Sequence, residues 1–218
     1  MKVCTDACLF GAWISDVRGQ MLDASVLDIG TGTGLLSLML AQKSGGNIDA
    51  VEMDETAAAQ AADNFADSPW VDRLHMIQGD VRTVALQHKY DLIISNPPFF
   101  ENDLQSADDK RNLALHSASL GFEDLIGVIK KYLAKNGKFA VLLPYHRTEL
   151  FIQLALREGF YLEEEVHVKQ TPAHGYFRSM LCFGTTYHEN KKSEIVIRDG
   201  ESYTDAFVDL LKDYYLKL

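Results

Sequence analysis

Ser25-Val26-Leu27-Asp28-Ile29-Gly30-Thr31-Gly32-Thr33-Gly34, running on into Leu35 to Ala41, is the stretch whose reading decides the fold. Ser25 to Ile29 is a short apolar, β-branched run, which suits a core strand covered on both faces. Three alternating glycines follow, and then an apolar segment long enough to begin a helix. Strand, glycine-rich turn and helix N-terminus occur here in the order that a nucleotide-type cofactor needs. Glycine lets the backbone approach a ligand closely and take positive φ without a steric penalty. The spacing argues against a dinucleotide. The G-x-G-x-x-G fingerprint requires glycine or alanine one place beyond Gly34, and that place is Leu35. The pattern is instead Asp28-x-Gly30-x-Gly32-x-Gly34.

Three further strands follow, each ending in polar or special residues. Ile48-Asp49-Ala50-Val51 ends on Glu52-Met53-Asp54, and Asp54 opens an alanine-rich helix through Phe65. Leu74-His75-Met76-Ile77 ends on Gln78-Gly79-Asp80-Val81. Tyr90-Asp91-Leu92-Ile93-Ile94-Ser95 runs into Asn96-Pro97-Pro98-Phe99. Proline lacks an N–H and pushes its predecessor to extended geometry, so this last strand leaves as a stiff loop with carbonyls free to serve a ligand. Open α/β sheets bind ligands at the C-terminal ends of their strands, where all these residues fall. Taken singly each has a plainer reading: Asn-Pro as an ordinary turn, Glu52 as a solvated strand end, Met53 as core, Asp80 as a helix cap.

The acid-first, alternating-glycine form resembles motif I of class I S-adenosylmethionine-dependent methyltransferases. The resemblance implies an α/β, Rossmann-like fold: a mostly parallel seven-stranded sheet with an antiparallel edge and helices on both faces, as one domain over residues 1–218. It implies S-adenosyl-L-methionine as cofactor, with S-adenosyl-L-homocysteine as product and no metal. Asp28, Gly30, Thr31, Gly32 and Gly34 would bind the methionine half of the cofactor, whose amino group calls for a nearby carboxylate. Glu52 would take the ribose hydroxyls, since an acid about 20 residues after the glycine loop has that place. Met53 would lie against the adenine, Asp80 would accept from its amino group, and the Val81 N–H would donate to a ring nitrogen.

Asn96-Pro97-Pro98-Phe99 is similar to motif IV of amino-methyltransferases, which act on adenine N6, guanine N2 or a release-factor glutamine. An exocyclic amine is a poor nucleophile because its lone pair is delocalised into the ring. Two acceptors aimed at its N–H groups, the Asn96 side-chain oxygen and the Pro97 carbonyl, favour the more tetrahedral nitrogen that attacks. Preorganised polar groups of this kind contribute about 3 kcal/mol each. Phe99 would stack on the base and hold it in line. Asn96 therefore counts in both the catalytic and the cofactor-binding sets.

The whole chain resembles the tRNA1(Val) adenine-37 N6-methyltransferase family. Met1-Lys2-Val3-x-Thr5-Asp6 with Leu9-x-Gly11-Ala12-Trp13, the loop from Ser95 to Phe100, and Tyr203-Thr204-Asp205-Ala206-Phe207 through Tyr214-Tyr215-Leu216 carry that likeness. It implies the anticodon arm of a tRNA as substrate and a cytoplasmic enzyme with no obligate protein partner. Two departures stand out against the family's usual pattern: an aromatic and basic stretch is expected ahead of the Met-Lys-Val segment, at which this sequence begins, and Leu115 replaces the second arginine of an Arg-x-x-Ala-Arg-His pattern beginning at Arg111. A ribosomal guanine-N2 enzyme, a release-factor glutamine N5 enzyme and a catalytically inactive S-adenosylmethionine- or RNA-binding module are the alternatives.

Composition is compatible with all of this. The 218 residues are 47% hydrophobic and 24% charged, enough for a full core. No apolar run is long enough to span a bilayer, so no membrane partner is expected. The net charge of −10 argues against a generic nucleic-acid coat but permits a local basic patch. Lys110/Arg111, Lys130/Lys131 and Lys191/Lys192 are the candidates. Cys4, Cys8 and Cys182 form no Cys-x-x-Cys pair, which argues against zinc or redox chemistry. Further expectations are an Asp6 cap on a buried N-terminal helix, a helix over Leu120 to Leu133 capped at Asn136-Gly137, an antiparallel strand pair over 161–169 and 179–187, a short strand at 195–197, and a terminal helix from Thr204 to Leu216 whose aromatic face is packing.

Overall fold

The computed structural model describes residues 4–17, 23–97 and 120–216. In chain order the elements are α1 (Thr5–Val17), β1 (Val26–Ile29), α2 (Leu35–Lys43), β2 (Ile48–Glu52), α3 (Glu55–Ala66), β3 (Leu74–Gln78), β4 (Tyr90–Ser95), α4 (Phe122–Tyr132), β5 (Leu133–Pro144), α5 (Thr148–Arg157), β6 (Tyr161–Lys169), β7 (Tyr176–Gly184), β8 (Lys191–Val196), the short pair β9 (Arg198–Asp199) and β10 (Ser202–Tyr203), and α6 (Asp205–Leu211).

The main sheet has the order β3-β2-β1-β4-β5-β7-β6-β8. Neighbours are parallel except at β7, which opposes both β5 and β6. Side chains alternate between the two faces along each strand. Val26, Leu92, Ile94, Ala140 and Leu142 join one core with residues of α1, α2, α3 and α6. Leu27, Ile29, Ile93, Phe139, Val141 and Leu143 join the other with α4 and α5. This double cover is why β1 and β4 read as unbroken apolar runs. The first helix is buried nearly all round: Leu9, Phe10 and Ile14 have no exposed surface. A Cβ on Gly11 would stand 2.6 Å from Met39 Sδ, so a glycine is what lets α1 lie directly on α2.

Four expectations need correcting. The sheet has eight strands rather than seven, because Lys191–Val196 pairs along its whole length with β6. Only its apolar end, at Ile195, carries a strand signal in the sequence. Its exposed lysines are the kind of residue that blunts a sheet edge. Asn136-Gly137 does not cap α4: the helix ends at Tyr132 and Leu133 already pairs with Tyr90. The register then shifts, so that the next pair is Leu92 with Lys138. A Cβ on Gly137 would stand 3.0 Å from the Tyr90 carbonyl oxygen, so the glycine serves a close backbone approach in an irregular stretch of strand. Asp6 lies inside the first turn of α1 rather than ahead of it; its Oδ1 does accept from a free first-turn N–H, that of Ala7 at 3.1 Å, while its Oδ2 accepts from Arg178 Nε at 2.8 Å. The terminal helix stops at Leu211; Phe207 is buried, and Tyr214 and Tyr215 pack on the core from the turns beyond. Among the described residues no helix is long and apolar enough to cross a membrane.

Candidate functional site

The chain builds β1, β2 and β3 outward in one direction and then returns to place β4 on the other side of β1. The crevice at such a switch point lies over the C-terminal ends of β1 and β4. Ser95 Oγ closes the base of that crevice by donating to the Ile29 carbonyl at 2.9 Å.

Gly30, Gly32 and Gly34 take φ of 71, 59 and 85°. The Gly30 and Thr31 N–H groups both donate to the Val51 carbonyl, at 2.9 and 3.2 Å, which ties the loop to the end of β2. Positive φ is common to the three glycines, but their surroundings differ. A Cβ on Gly34 would stand 2.4 Å from the Phe65 ring, so this glycine lets α3 pack against the loop. A Cβ on Gly30 would meet nothing within 4 Å. Open space above a positive-φ glycine is room for a ligand to reach the backbone.

Asp28 is fully buried. Its Oδ2 accepts from Thr31 Oγ1 at 2.6 Å and from Ser37 Oγ at 2.7 Å, while Oδ1 has no partner. Burial pushes its pKa up to about 6; the Thr31 and Ser37 hydrogen bonds oppose the rise and the Glu52 charge adds to it. Four buried side-chain polar atoms lack a partner among the described residues, and two of them are Asp28 Oδ1 and Asn96 Oδ1. A buried acceptor left unpaired costs about 1–3 kcal/mol, so two at the ends of adjacent strands call for an explanation. Acceptors are what a ligand carrying amino groups requires, and the residues present fit S-adenosyl-L-methionine on that ground.

Glu52 clasps the loop from the next strand. Its Oε2 accepts from the Gly32 N–H and its Oε1 from the Asp54 N–H, each at 2.9 Å. A carboxylate offers about four lone-pair sites, so two remain for hydroxyl groups. Asp54 caps α3 as expected, accepting from the Ala57 N–H at 2.8 Å. Met53 beside them is 48% exposed, which does not suit a core residue. The Gly79 N–H donates to the Glu52 carbonyl at 2.8 Å and so brings the end of β3 alongside.

Asp80 is more committed than its sequence position suggests. Arg82 donates to it from its backbone N–H (2.9 Å), from Nε to both oxygens (2.9 Å each) and from Nη2 (2.6 Å). That guanidinium holds the Asp80 carboxyl below the usual range, and Nη1 reaches Asp124 at the start of α4 at 3.5 Å. The Val81 side chain is buried. Pro97 is buried after Asn96. Pro98 and Phe99 lie outside the described residues, as do the polar segment from Glu101 to His116, Lys110/Arg111 and Leu115.

The structure thus gathers Asp28, Gly30, Thr31, Gly32, Gly34, Glu52, Met53, Asp80, Val81, Asn96 and Pro97 at one rim of the sheet. Sequence reasoning missed Ser37 and Arg82. Ser37 is the one polar residue in the apolar run Leu35 to Ala41, and Arg82 stands two places after Asp80; both signals were available. The other basic pairs fit an RNA surface poorly. Lys130 pairs with Glu158 at 2.8 Å, Lys191 with Glu164 at 3.9 Å and Lys192 with Glu165 at 3.3 Å. Lys130 and Lys131 end the helix that feeds the start of β5, at the opposite rim.

The family model described as methyltransferase small domain matches residues 14–160. The chain is similar to the tRNA1(Val) (adenine(37)-N6)-methyltransferase of Aliivibrio fischeri, with 40% identity over 219 residues covering 100% of this chain and 92% of that protein. Among solved structures, a predicted O-methyltransferase from Agrobacterium tumefaciens matches with a TM-score of 0.71 at 16% identity, over 94% of this chain and 95% of that one. The glycopeptide N-methyltransferase MtfA complexed with S-adenosyl-L-methionine matches with a TM-score of 0.58 at 14% identity, over 80% and 92%. At these identities the two structures speak for the fold alone.

Proposed function

The chain belongs to the tRNA1(Val) (adenine(37)-N6)-methyltransferase family, and from that membership we propose that it methylates the exocyclic N6 amine of adenine 37 in the anticodon arm of a tRNA. It is an S-adenosyl-L-methionine-dependent methyltransferase, acting in the cytoplasm as one domain over residues 1–218 and without an obligate protein partner. The cofactor, when bound, supplies an electrophilic methyl group on a sulfonium.

The chain's own residues divide the work. Asp28 Oδ1 takes the cofactor's amino group, and Gly30, Thr31, Gly32 and Gly34 line its methionine half. Glu52 keeps its bond to the Gly32 N–H and offers its remaining lone pairs to the ribose hydroxyls. Met53 covers the adenine. Asp80 accepts from the adenine amino group on an oxygen it shares with Arg82, which fixes its orientation, and the Val81 N–H donates to a ring nitrogen. Asn96 Oδ1 and the Pro97 carbonyl accept the two N–H bonds of the target amine. This draws the nitrogen out of conjugation and points its lone pair away from both acceptors. An amide suffices, because the proton to be lost becomes acidic only as the nitrogen gains positive charge, and it can leave to water. Pro98 stiffens the loop and Phe99 stacks on the base.

One observation carries the reading: among the described residues Asn96 Oδ1 is buried and without a partner just past the end of β4, two residues beyond the level of Asp28 on β1, whose Oδ1 is equally unpartnered. Incubation with labelled S-adenosyl-L-methionine and unmodified tRNA, followed by nucleoside mass spectrometry, should yield N6-methyladenosine. Label in N2-methylguanosine, or none in tRNA, refutes it. Asn96→Ala should lower turnover about 100- to 1000-fold while calorimetric affinity for the cofactor persists, since it removes an acceptor used as charge develops.

A further inference from the structure

Pro144 ends β5, the strand paired with β4. The register Ser95 with Val141 puts Asn96 and Pro97 level with Leu142 and Leu143, so Tyr145 leaves the rim two residues further on. Beyond β5 the pairs Pro144 with Arg178, Val168 with Arg178 and Lys169 with Tyr176 bring the ends of β7 and β6 to the same rim. Strands lie about 4.8 Å apart, so β7 stands about 10 Å from β4, within reach of a nucleotide adjacent to one held at Asn96.

Three rings meet there. Tyr145 lies 4.9 Å from His167 at 84° and 5.1 Å from Tyr176 at 46°, and His167 lies 4.8 Å from Tyr176 at 55°. His167 is buried and fixed by Glu165, whose Oε1 is 2.5 Å from Nε2. The Tyr176 hydroxyl donates to Glu194 at 2.5 Å, and Lys169 Nζ sits 4.6 Å from the Tyr176 ring centre and 3.1 Å from the same carboxylate. The acids in this group are therefore matched, and Glu149 on the following helix accepts from Gln153. Tyr145 itself remains 39% exposed, with His146 and Arg147 in the same 3-10 turn. A core tyrosine would be covered; an ordinary surface tyrosine would not be held from behind by two rings. An aromatic immobilised on one side and open on the other fits a single strand whose bases each carry a π-face.

We propose that Tyr145, braced by His167 and Tyr176, is a stacking platform for an unpaired base next to the target adenine. The proposal rests on the tRNA substrate argued above. Single-stranded loops are where RNA offers splayed bases to aromatic side chains. Stacking of this kind is sequence-tolerant, so the platform would position the loop while Asn96 and Pro97 select the amine.

The test measures tRNA affinity, cofactor affinity and the methylated nucleoside for wild type, Tyr145→Ala, Tyr145→Leu and Tyr145→Phe. The leucine variant keeps apolar bulk, which guards against misfolding, but has no ring. Tyr145→Ala and Tyr145→Leu should weaken tRNA binding roughly tenfold to a hundredfold. Calorimetric cofactor affinity should hold, and Tyr145→Phe should restore tRNA binding. Unchanged tRNA affinity in the alanine variant, or a phenylalanine variant as weak as alanine, overturns the platform while the wild-type adenine product leaves the function intact. A wild-type product on a different base, with tRNA binding still dependent on the ring at 145, overturns the adenine assignment and upholds the platform.

Discussion

Asp28→Asn should stabilise the ligand-free protein and weaken its cofactor, two effects of opposite sign from one atom. The carboxyl is fully buried, with one oxygen held by Thr31 and Ser37 and the other unpaired. Its pKa is raised from 3.8 to about 6, chiefly by burial. At about 1.36 kcal/mol per unit, ionising it in the folded state at neutral pH costs roughly 3 kcal/mol more than in the unfolded chain. Because the folded form holds this proton more tightly, it carries more protons than the unfolded form between about pH 4 and pH 6. Stability from this group is full below the unfolded value, falls as pH rises through that window, and is level above it.

An asparagine keeps an oxygen for the two hydroxyls and removes the charge, but its amide N–H₂ inherits the unpaired position at a cost of about 1–3 kcal/mol. Asp28→Asn is therefore expected to exceed wild type by about 1 kcal/mol at pH 7.5 and to lose that lead by pH 4. The difference between the two stability curves should grow by about 3 kcal/mol across the window. Urea unfolding from pH 4 to 7.5 measures this directly. Titration calorimetry with S-adenosyl-L-homocysteine should show the variant binding about tenfold to a hundredfold more weakly, the loss of one hydrogen bond to a charged partner. Wild-type affinity should itself fall as pH drops below about 6, where Asp28 takes up its proton. A flat difference curve would refute the burial argument, and unchanged affinity would refute the role of Oδ1.

Glu52→Ala removes the acceptor of the Gly32 and Asp54 N–H groups as well as the proposed ribose contacts. Cofactor affinity should fall at least tenfold by calorimetry, and an unaltered dissociation constant would remove Glu52 from the site. Gly34→Ala and Gly30→Ala separate packing from binding. Both place a side chain at positive φ, a penalty of about 1–2 kcal/mol, but only the first also meets the Phe65 ring. Thermal unfolding should fall further for Gly34→Ala, while Gly30→Ala should lose cofactor affinity out of proportion to its stability. If the two variants fall alike in both assays, the open space above Gly30 is not a ligand site.

How far the sequence revealed this architecture depended on whether a residue acts locally or through a distant partner. The glycine loop, the Asp54 cap and the abrupt end of β4 announce themselves within a few residues, because turn chemistry and capping are local. The eighth strand does not. Lys191 to Glu194 is polar on both faces, and it becomes a strand only because β6 presents an edge that sequence cannot place. Asn136-Gly137 carries the usual signal of a helix end, and the signal misleads because the tight contact that requires glycine is with Tyr90, far off in the chain.

The same distinction separates the site's residues. The distance from the glycine loop marks Glu52 and a family resemblance marks Asp80, yet what each carboxylate already holds shows only in three dimensions. Glu52 spends one oxygen on the glycine loop, and Asp80 is largely taken up by Arg82. Asp28 and Asn96 are the opposite case, each keeping a buried oxygen unpaired. In the ligand-free protein those oxygens are a cost that the surrounding fold must outweigh. The Ser95 to Ile29 hydrogen bond and the double-sided cores hold β1 and β4 in place while they stay unpaired. Preorganisation at this rim therefore means acceptors already desolvated and fixed before any amine arrives, so that less of the binding and activation free energy goes into arranging them.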